Sequence, residues 1–182
     1  MVKNYVFINA NEFLLDSFRL AKKIYDSGYR PELVIGLWRG GSEVAKCIDE
    51  YFRYKKLKIP TYSLKVEAYR GINKRKKEVS LGGLGSLIDY ILNNNIRDIL
   101  LADDVKESGG SLDRTVRSLL PFTKRIKTAT VYYKPKKDKT NLKPNFYLEK
   151  TNSWVVFPHE LEDLTLEEIR LKNFKLHSIL TT

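Results

Sequence analysis

The sequence has very few of the residues that form disulfides or cysteine-based metal sites. Cys47 is the only cysteine in 182 residues, and the histidines are His159 and His177. One cysteine excludes an internal disulfide and a cysteine metal cage, and it is compatible with a reducing compartment, so we expect a cytoplasmic protein. The two histidines show no ligand spacing. Disulfide-stapled scaffolds and structural zinc modules are therefore excluded as classes.

Long apolar runs are missing as well. No stretch approaches the roughly 18 consecutive apolar residues that a membrane-spanning helix needs. The opening residues, MVKNYVFINANEF, lack the succession of basic, apolar and small residues of a signal peptide. We therefore expect no membrane partner. The hydrophobic share of 42% is that of a folded protein, and the length predicts a single domain over 1–182.

Charge is unbalanced toward the basic side. Lysine and arginine number 33 against 22 acidic residues, which gives a formal net charge of +11. Such a balance suits a polyanionic partner, which includes nucleic acid, an acidic surface and a polyphosphate substrate. A basic surface without a specific partner explains most of the excess equally well. The segment 68–86 carries the basic run NKRKK together with glycines, and it is predicted to be a flexible loop.

Strand-like and helix-like patterns alternate along the chain. A capping box at Thr165 and Glu168 predicts a C-terminal helix. The alternation predicts an α/β fold with a mostly parallel central sheet flanked by helices. Further helices are expected near 12–26, 43–54 and 112–120, with a short helix or turn near 87–95. Strands are expected near 33–37, 61–69, 98–102, 127–134 and 153–157.

The stretch DILLADDVKESGGSL at 98–112 places two acids at the end of an apolar strand, directly before a glycine-rich loop. Ligands of open parallel sheets bind at the carboxyl ends of strands. Glycines let a backbone approach a ligand closely, and N–H groups at a helix start favour phosphate. Asp103 and Asp104 would then bind sugar hydroxyls or a Mg²⁺ ion shared with the phosphates. The alternative is an ordinary strand-to-helix connection with solvated acids.

This stretch resembles the signature of type I phosphoribosyltransferases that binds 5-phosphoribosyl 1-pyrophosphate (PRPP). The family has a hydrophobic strand, two acidic residues and a Thr/Ser-Gly-Gly-Thr/Ser loop at this place. The resemblance implies that Asp103 and Asp104 bind the ribose hydroxyls of PRPP and the metal. It also implies a loop that holds the 5′-phosphate, composed of Glu107, Ser108, Gly109, Gly110 and Ser111.

A second stretch, IGLWRGGSEVA, resembles the pyrophosphate loop of the same family. The resemblance implies that Arg39 and Gly40 bind pyrophosphate and that the Trp38–Arg39 peptide bond is cis. It covers the chain from about Leu33 to Glu160. It implies the type I phosphoribosyltransferase fold, with a core near 30–156 and a small hood from the N-terminal segment and 157–182.

Two later segments, TVYYKP and NSWVVFPHEL, resemble the 6-oxopurine subgroup, the xanthine-guanine and hypoxanthine-guanine phosphoribosyltransferases. By this resemblance Lys134 contacts the purine 6-oxo group, Trp154 stacks on the base and the Val155 backbone contacts its edge. Glu160 matches an acid that helps to hold a metal. The plainer interpretations are a strand-end surface lysine for Lys134 and core packing for Trp154.

The implied activity is purine salvage. A Mg²⁺-dependent enzyme would transfer the 5-phosphoribosyl group of PRPP to hypoxanthine, guanine or xanthine. Glu107 stands at the position of the general base, where the family commonly has aspartate. Lys134 has no acceptor for the 6-amino group of adenine, which favours a 6-oxopurine. The resemblance further implies a homo-oligomer, a dimer or a tetramer.

Other interpretations stay open. An adenine or pyrimidine phosphoribosyltransferase would share the PRPP site and differ in the base. A PRPP-sensing regulator that binds nucleic acid would suit the +11 charge. The chain has no added helix-turn-helix or RNA-binding module, however, so we do not expect nucleic acid as a partner. A receiver-like domain would use the acids for phosphoryl transfer, but it explains neither Gly109 and Gly110 nor the WRGG stretch.

Overall fold

The computed structural model describes residues 5–70, 77–140 and 142–181. The strands are β1 (Tyr5–Phe7), β2 (Leu33–Trp38), β3 (Thr61–Arg70), β4 (Lys77–Gly82), β5 (Asp98–Lys106), β6 (Arg125–Tyr133), β7 (Phe146–Lys150) and β8 (Trp154–Val156). The helices are α1 (Ala10–Asp26), α2 (Gly40–Tyr54), α3 (Leu84–Asn93), α4 (Gly110–Leu119), α5 (Leu166–Lys172) and α6 (Phe174–Thr181).

Six of the strands form one sheet in the order β4-β3-β2-β5-β6-β7. Every neighbouring pair is parallel except β3 with β4. The predicted α/β fold with a mostly parallel central sheet flanked by helices is therefore confirmed. The central strands read as nearly continuous apolar runs because both faces of the sheet are covered. Helices α3 and α4 pack on one face through a buried cluster of Leu33, Ile35, Leu37, Leu87, Ile91, Ile99, Leu101, Leu112 and Leu119.

The sheet has a switch point between β2 and β5. From β2 the chain continues to β3 on one side, and from β5 it continues to β6 on the other. The pairing of β2 with β5 ends at Gly36 and Ala102, although β2 runs on to Trp38 and β5 to Lys106. The two carboxyl ends therefore separate beyond Ala102. Such a switch point is where open α/β sheets form a crevice for ligands.

The contacts within the chain divide it into two compact units. The sheet unit comprises Leu14–Asn152, and the terminal unit joins the residues up to Phe13 with those from Ser153 onward. In the terminal unit β8 pairs in parallel with β1, which the sequence analysis did not predict. The strand predicted at 153–157 is thus real, but its partner is β1 and not a strand of the central sheet.

Much of the segment 68–86, predicted as a loop, forms strands and a helix in the structure. Strand β3 extends to Arg70, β4 occupies Lys77–Gly82 antiparallel to it, and α3 begins at Leu84. Alternation of Val79 and Leu81 with polar residues is the strand pattern that the basic character of the segment obscured. The remaining residues of the predicted loop, 71–76, lie outside the described residues.

The predicted capping box at the start of α5 is present. Thr165 Oγ1 accepts the N–H of Glu168 at 3.2 Å, and Glu168 Oε2 accepts the N–H of Thr165 at 2.8 Å. The C-terminal region forms two helices because Asn173 adopts an extended backbone between α5 and α6. Within the described ranges, no helix has both the length and the apolarity needed to cross a membrane.

Candidate active site

Asp103 and Asp104 lie where β5 leaves its pairing with β2. The N–H of Asp104 donates to Asp103 Oδ1 at 3.1 Å, and the N–H of Val105 donates to Asp104 Oδ1 at 2.6 Å. Each carboxylate therefore fixes the backbone of the next residue. Burial, and then the negative charge of Asp104, raise the pKa of Asp103 well above its ordinary value, against the smaller opposing effect of the Asp104 N–H. A cation or hydroxyl donor would stabilise the ionised form here.

The loop after β2 lies directly against these acids. The Trp38–Arg39 peptide bond is cis, as predicted, and Arg39 is exposed just before α2. Gly41, which the sequence analysis did not single out, makes the closest approach. A Cβ atom there would overlap the Ala102 carbonyl oxygen and lie 2.9 Å from the Asp103 Cα atom. The first turn of α2 thus packs on the end of β5 only because residue 41 has no side chain.

The predicted phosphate loop (Glu107–Ser111) connects β5 to α4. Gly109 has a φ of +80° and immediately precedes the helix, which begins at Gly110. The first N–H groups of a helix have no partner within it, and Gly109 has no side chain to cap them. A cavity of about 100 Å³ opens here, lined by Asp103, Val105, Lys106, Glu107, Ser108, Gly109, Gly110, Ser111 and Leu112. Backbone N–H groups at a helix start and a cavity of this size suit a phosphate group.

Glu107, the predicted base, is held by two lysines that follow β6. Its Oε1 accepts from Lys137 Nζ at 2.5 Å, and its Oε2 lies 3.5 Å from Lys134 Nζ. Partial burial raises the pKa of Glu107, but the hydrogen bond from Lys137 and the charges of both lysines outweigh it, so the net pKa is lowered. Lys134 is buried rather than a surface residue. The structure thus brings together Glu107 and Lys134, which were predicted for two different roles.

A buried cluster beneath the phosphate loop was missed by the sequence analysis. Lys106 Nζ lies 2.8 Å from Asp138 Oδ2 and 2.7 Å from Thr140 Oγ1. Desolvation raises the pKa of Asp138, but the hydrogen bonds from Lys106 and Thr140 prevail and lower it. The available signal was a lysine at an inward position of a strand, since a buried lysine must find an acidic partner.

The remaining predicted residues belong to the terminal unit. Trp154 is 45% exposed, with its ring edge-on to Tyr5 at a centroid distance of 6.4 Å. Val155 is buried and pairs with Val6. Glu160 Oε2 accepts the N–H of Phe157 at 2.9 Å, which closes a turn. Partial exposure of the Trp154 ring argues against the alternative of core packing. The purine site predicted from Lys134, Trp154 and Val155 stays a prediction.

Metal binding was predicted at Asp103, Asp104 and Glu160. In the part of the chain that the structure describes, no group of three or more His, Cys, Asp or Glu side chains is close enough to hold a metal ion. Two carboxylates at the end of β5 nevertheless fit Mg²⁺, which commonly binds one or two carboxylates together with water and substrate phosphates. A bound cation would also favour the ionised form of Asp103, whose pKa burial and the charge of Asp104 raise.

Comparison with known proteins gives one family match and several structural matches. A family model described as a phosphoribosyl transferase domain matches residues 8–165. By sequence comparison, the chain matches no curated protein. A solved purine phosphoribosyltransferase from Pyrococcus horikoshii is 23% identical, with a TM-score of 0.68 over 89% of this chain and 98% of that one.

Two further solved structures are similar. A hypothetical protein from Neisseria gonorrhoeae with bound ppGpp is 18% identical, with a TM-score of 0.75 over 96% of this chain and 99% of that one. A xanthine-guanine-hypoxanthine phosphoribosyltransferase from Helicobacter pylori is 20% identical, with a TM-score of 0.61 over 94% and 98%. At these identities the likeness establishes the fold.

Proposed function

Because the chain belongs to the phosphoribosyl transferase domain family, we propose that it transfers the 5-phosphoribosyl group of PRPP to a 6-oxopurine. A purine nitrogen would attack C1 of the sugar as the bond from C1 to pyrophosphate breaks, giving a nucleoside monophosphate and pyrophosphate. One observation carries this proposal. At the switch point of the sheet, the WRGG loop that follows β2 packs against β5 at Asp103.

The roles of the chain's own residues follow from their chemistry. The phosphate loop would bind the 5′-phosphate through the N–H groups at the start of α4. Asp103 and Asp104 would accept hydrogen bonds from the ribose hydroxyls. Arg39 would bind the pyrophosphate, because a planar guanidinium matches phosphate oxygens. Its positive charge then stabilises the negative charge that grows on the leaving group.

Magnesium is proposed at Asp103 and Asp104, with the other ligands from PRPP and water. The ion would supply charge neutralisation at the pyrophosphate. Glu160 as a further metal ligand stays a prediction. Chelation with EDTA is expected to abolish turnover and added Mg²⁺ to restore it, whereas turnover that persists in EDTA would contradict the metal requirement.

The residues proposed to contact the purine determine which purine the protein accepts. Glu107 would take the proton that the purine loses, and its lowered pKa makes it a weak base at neutral pH. Lys134 would donate to the 6-oxo group. We also propose that Trp154 stacks on the base and that the Val155 backbone contacts its edge. As in the resembling enzymes, a homo-oligomer is expected, which sedimentation velocity would test.

The experiment is pyrophosphate release from PRPP and Mg²⁺ with hypoxanthine, guanine, xanthine, adenine, uracil and orotate. Turnover with 6-oxopurines alone supports the proposal. Turnover with adenine or a pyrimidine instead would keep the PRPP site and overturn the purine assignment. Lys134→Gln supplies an acceptor for a 6-amino group, so it is expected to lower the preference for hypoxanthine over adenine roughly 10- to 100-fold. Lys136→Gln, a change at a neighbouring exposed lysine, is the matched control.

A second candidate is a PRPP-sensing regulator that binds nucleic acid, and the net charge of +11 favours it. The similar Neisseria protein carries bound ppGpp, which adds a nucleotide ligand to test. The regulator would be favoured over the enzyme if PRPP binds without turnover on any base and a gel shift persists at physiological salt. A gel shift that disappears at that salt would reflect only non-specific charge.

A further inference from the structure

Two consecutive residues at the end of β5 pair with two consecutive residues after β6. Lys106 Nζ lies 2.8 Å from Asp138 Oδ2, and Lys137 Nζ lies 2.5 Å from Glu107 Oε1. Each segment thus gives one cation and one carboxylate to the other. We call residues 134–140 the brace segment. Backbone hydrogen bonds join the same stretches. The Lys134 N–H donates to the Lys106 carbonyl at 2.9 Å, and the Lys139 N–H donates to the Ser108 carbonyl at 3.2 Å.

The local sequence explains how the brace segment takes its shape. Pro135 follows β6 and has no N–H for a sheet ladder, so the strand ends there. The N–H of Lys137 then donates to the Lys134 carbonyl at 3.1 Å, which closes a turn. Asp138 Oδ1 accepts the N–H of Thr140 at 2.9 Å, as aspartates in turns commonly do. The turn therefore presents Asp138 and Thr140 to β5.

Lys106 is buried, and its charge is fully engaged with this turn. Its side chain is 0% exposed and that of Asp138 is 5% exposed. Thr140 Oγ1 accepts from Lys106 Nζ at 2.7 Å and donates to Asp138 Oδ1 at 2.9 Å, and Tyr133 Oη donates to Asp138 Oδ2 at 3.2 Å. Buried charges are tolerated only with good geometry and further hydrogen bonds. These four side chains therefore have little freedom to move independently.

The backbone of the phosphate loop rests on this cluster. A Cβ atom at Gly109 would lie 2.7 Å from Lys106 Nζ and 2.7 Å from Thr140 Oγ1. Gly109 also has a φ of +80°, which disfavours any side chain there. The positions of Nζ and Oγ1 therefore limit where Gly109 can lie. Because Gly109 immediately precedes α4, they also limit where the N–H groups of the first turn lie.

We propose that Lys106, Asp138 and Thr140 are positioning residues that keep the phosphate loop in its binding geometry before PRPP arrives. This inference rests on the proposed function, in which the phosphate loop binds the 5′-phosphate of PRPP. A preformed loop binds more tightly because less ordering accompanies binding. The cluster should therefore govern the affinity for the phosphoribosyl group and leave the affinity for the purine unchanged.

The test uses substitutions that differ in one property. Thr140→Val removes the hydroxyl and keeps the shape, whereas Thr140→Ser keeps the hydroxyl and is the matched control. Lys106→Met together with Asp138→Asn removes both buried charges, because Lys106→Met alone would leave an unpaired buried carboxylate. The measurements are the Kd of ribose 5-phosphate by calorimetry, the KM values for PRPP and purine, kcat, and the unfolding temperature of each variant.

Thr140→Val and the double variant are expected to raise the Kd of ribose 5-phosphate and the KM for PRPP roughly 10- to 100-fold, with the purine KM unchanged. Thr140→Ser should behave like the wild type. A lower unfolding temperature with unchanged PRPP constants would reduce the cluster to a stabilising role and overturn the inference. If the wild type itself binds neither ribose 5-phosphate nor PRPP, the proposed function fails, and the inference falls with it.

Discussion

Lys137 holds the carboxylate of Glu107, with its Nζ atom 2.5 Å from Oε1. Lys134 approaches the other carboxylate oxygen to 3.5 Å. The predicted general base is therefore paired before any purine binds. These contacts lower the pKa of Glu107 against the opposing effect of its partial burial, so the ionised form persists to lower pH than in an ordinary glutamate.

The first prediction concerns the pH profile. If Glu107 is the general base, kcat/KM of the wild type falls in acid with a midpoint below the ordinary pKa of a carboxyl group. Lys137→Met removes a hydrogen bond and a charge that lower the pKa, so that midpoint should move to higher pH. Lys136→Met, on the same turn, should leave it in place. A midpoint that does not move in Lys137→Met would exclude Glu107 as the titrating base.

The second prediction concerns Gly41. Gly41→Ala would force a methyl group against the Ala102 carbonyl and the Asp103 Cα atom. Overpacking of this kind costs about 1–3 kcal/mol of unfolding free energy, which denaturation in urea measures. Gly85→Ala is the control, because nothing lies within 4 Å of a Cβ atom there. Equal stability of the two variants would show that the loop can move away from β5.

The third prediction concerns Asp103, whose raised pKa opposes folding at neutral pH. An acid with a raised pKa contributes stability below its unfolded pKa, and that stability is lost as the pH rises through the folded pKa. Asp103→Asn should therefore raise the unfolding temperature of the ligand-free protein at pH 7, by roughly 2–4 °C for each 1 kcal/mol relieved. The gain in unfolding temperature over the wild type should become smaller as the pH is lowered.

Asp89→Asn, at an exposed position, is the control for this comparison. The same Asp103→Asn variant should lose turnover, since it lacks the charge proposed to bind the metal. Stabilisation and inactivity together are typical of residues kept for function. A variant that is less stable than the wild type at pH 7 would be inconsistent with the raised pKa.

The fourth prediction concerns Cys47, which is buried in α2. Burial raises the pKa of its thiol to about 11 from an ordinary 9.0. The thiolate is the reactive form, and two pKa units lower its fraction at pH 8 about a hundredfold. A disulfide reagent should therefore modify the native protein at least that much more slowly than the urea-unfolded protein. Comparable rates would mean that α2 opens readily.

The sequence predicted the parts of the site that are contiguous along the chain. The run from Ile99 to Ser111 contains the strand, the acids, the glycines and the helix start in one stretch, so local pattern sufficed. The contact of Lys106 with Asp138 escaped prediction because 32 positions separate the two residues. In the sequence, Lys106 beside Glu107 resembles part of a solvated charged segment. Only the fold shows that its side chain is buried.

Short strands escaped prediction for a different reason. Strand β1 has three residues and β7 has five, which is too few for a period of two to stand out. Strand β4 was hidden by its basic neighbours. In each case the pairing with another strand, rather than the intrinsic preference of the segment, decides the structure.

The pairing of β1 with β8 has a consequence for synthesis on the ribosome. Tyr5 pairs with Trp154 and Phe7 pairs with Val156, so β1 leaves the ribosome well before its partner β8 does. The residues of the central sheet, Leu33–Lys150, leave the ribosome in between. Contacts so distant in sequence form slowly, since the intervening chain has to be ordered first. Strand β1 is therefore expected to pair later than the strands of the central sheet, and it stays unpaired while they are synthesised.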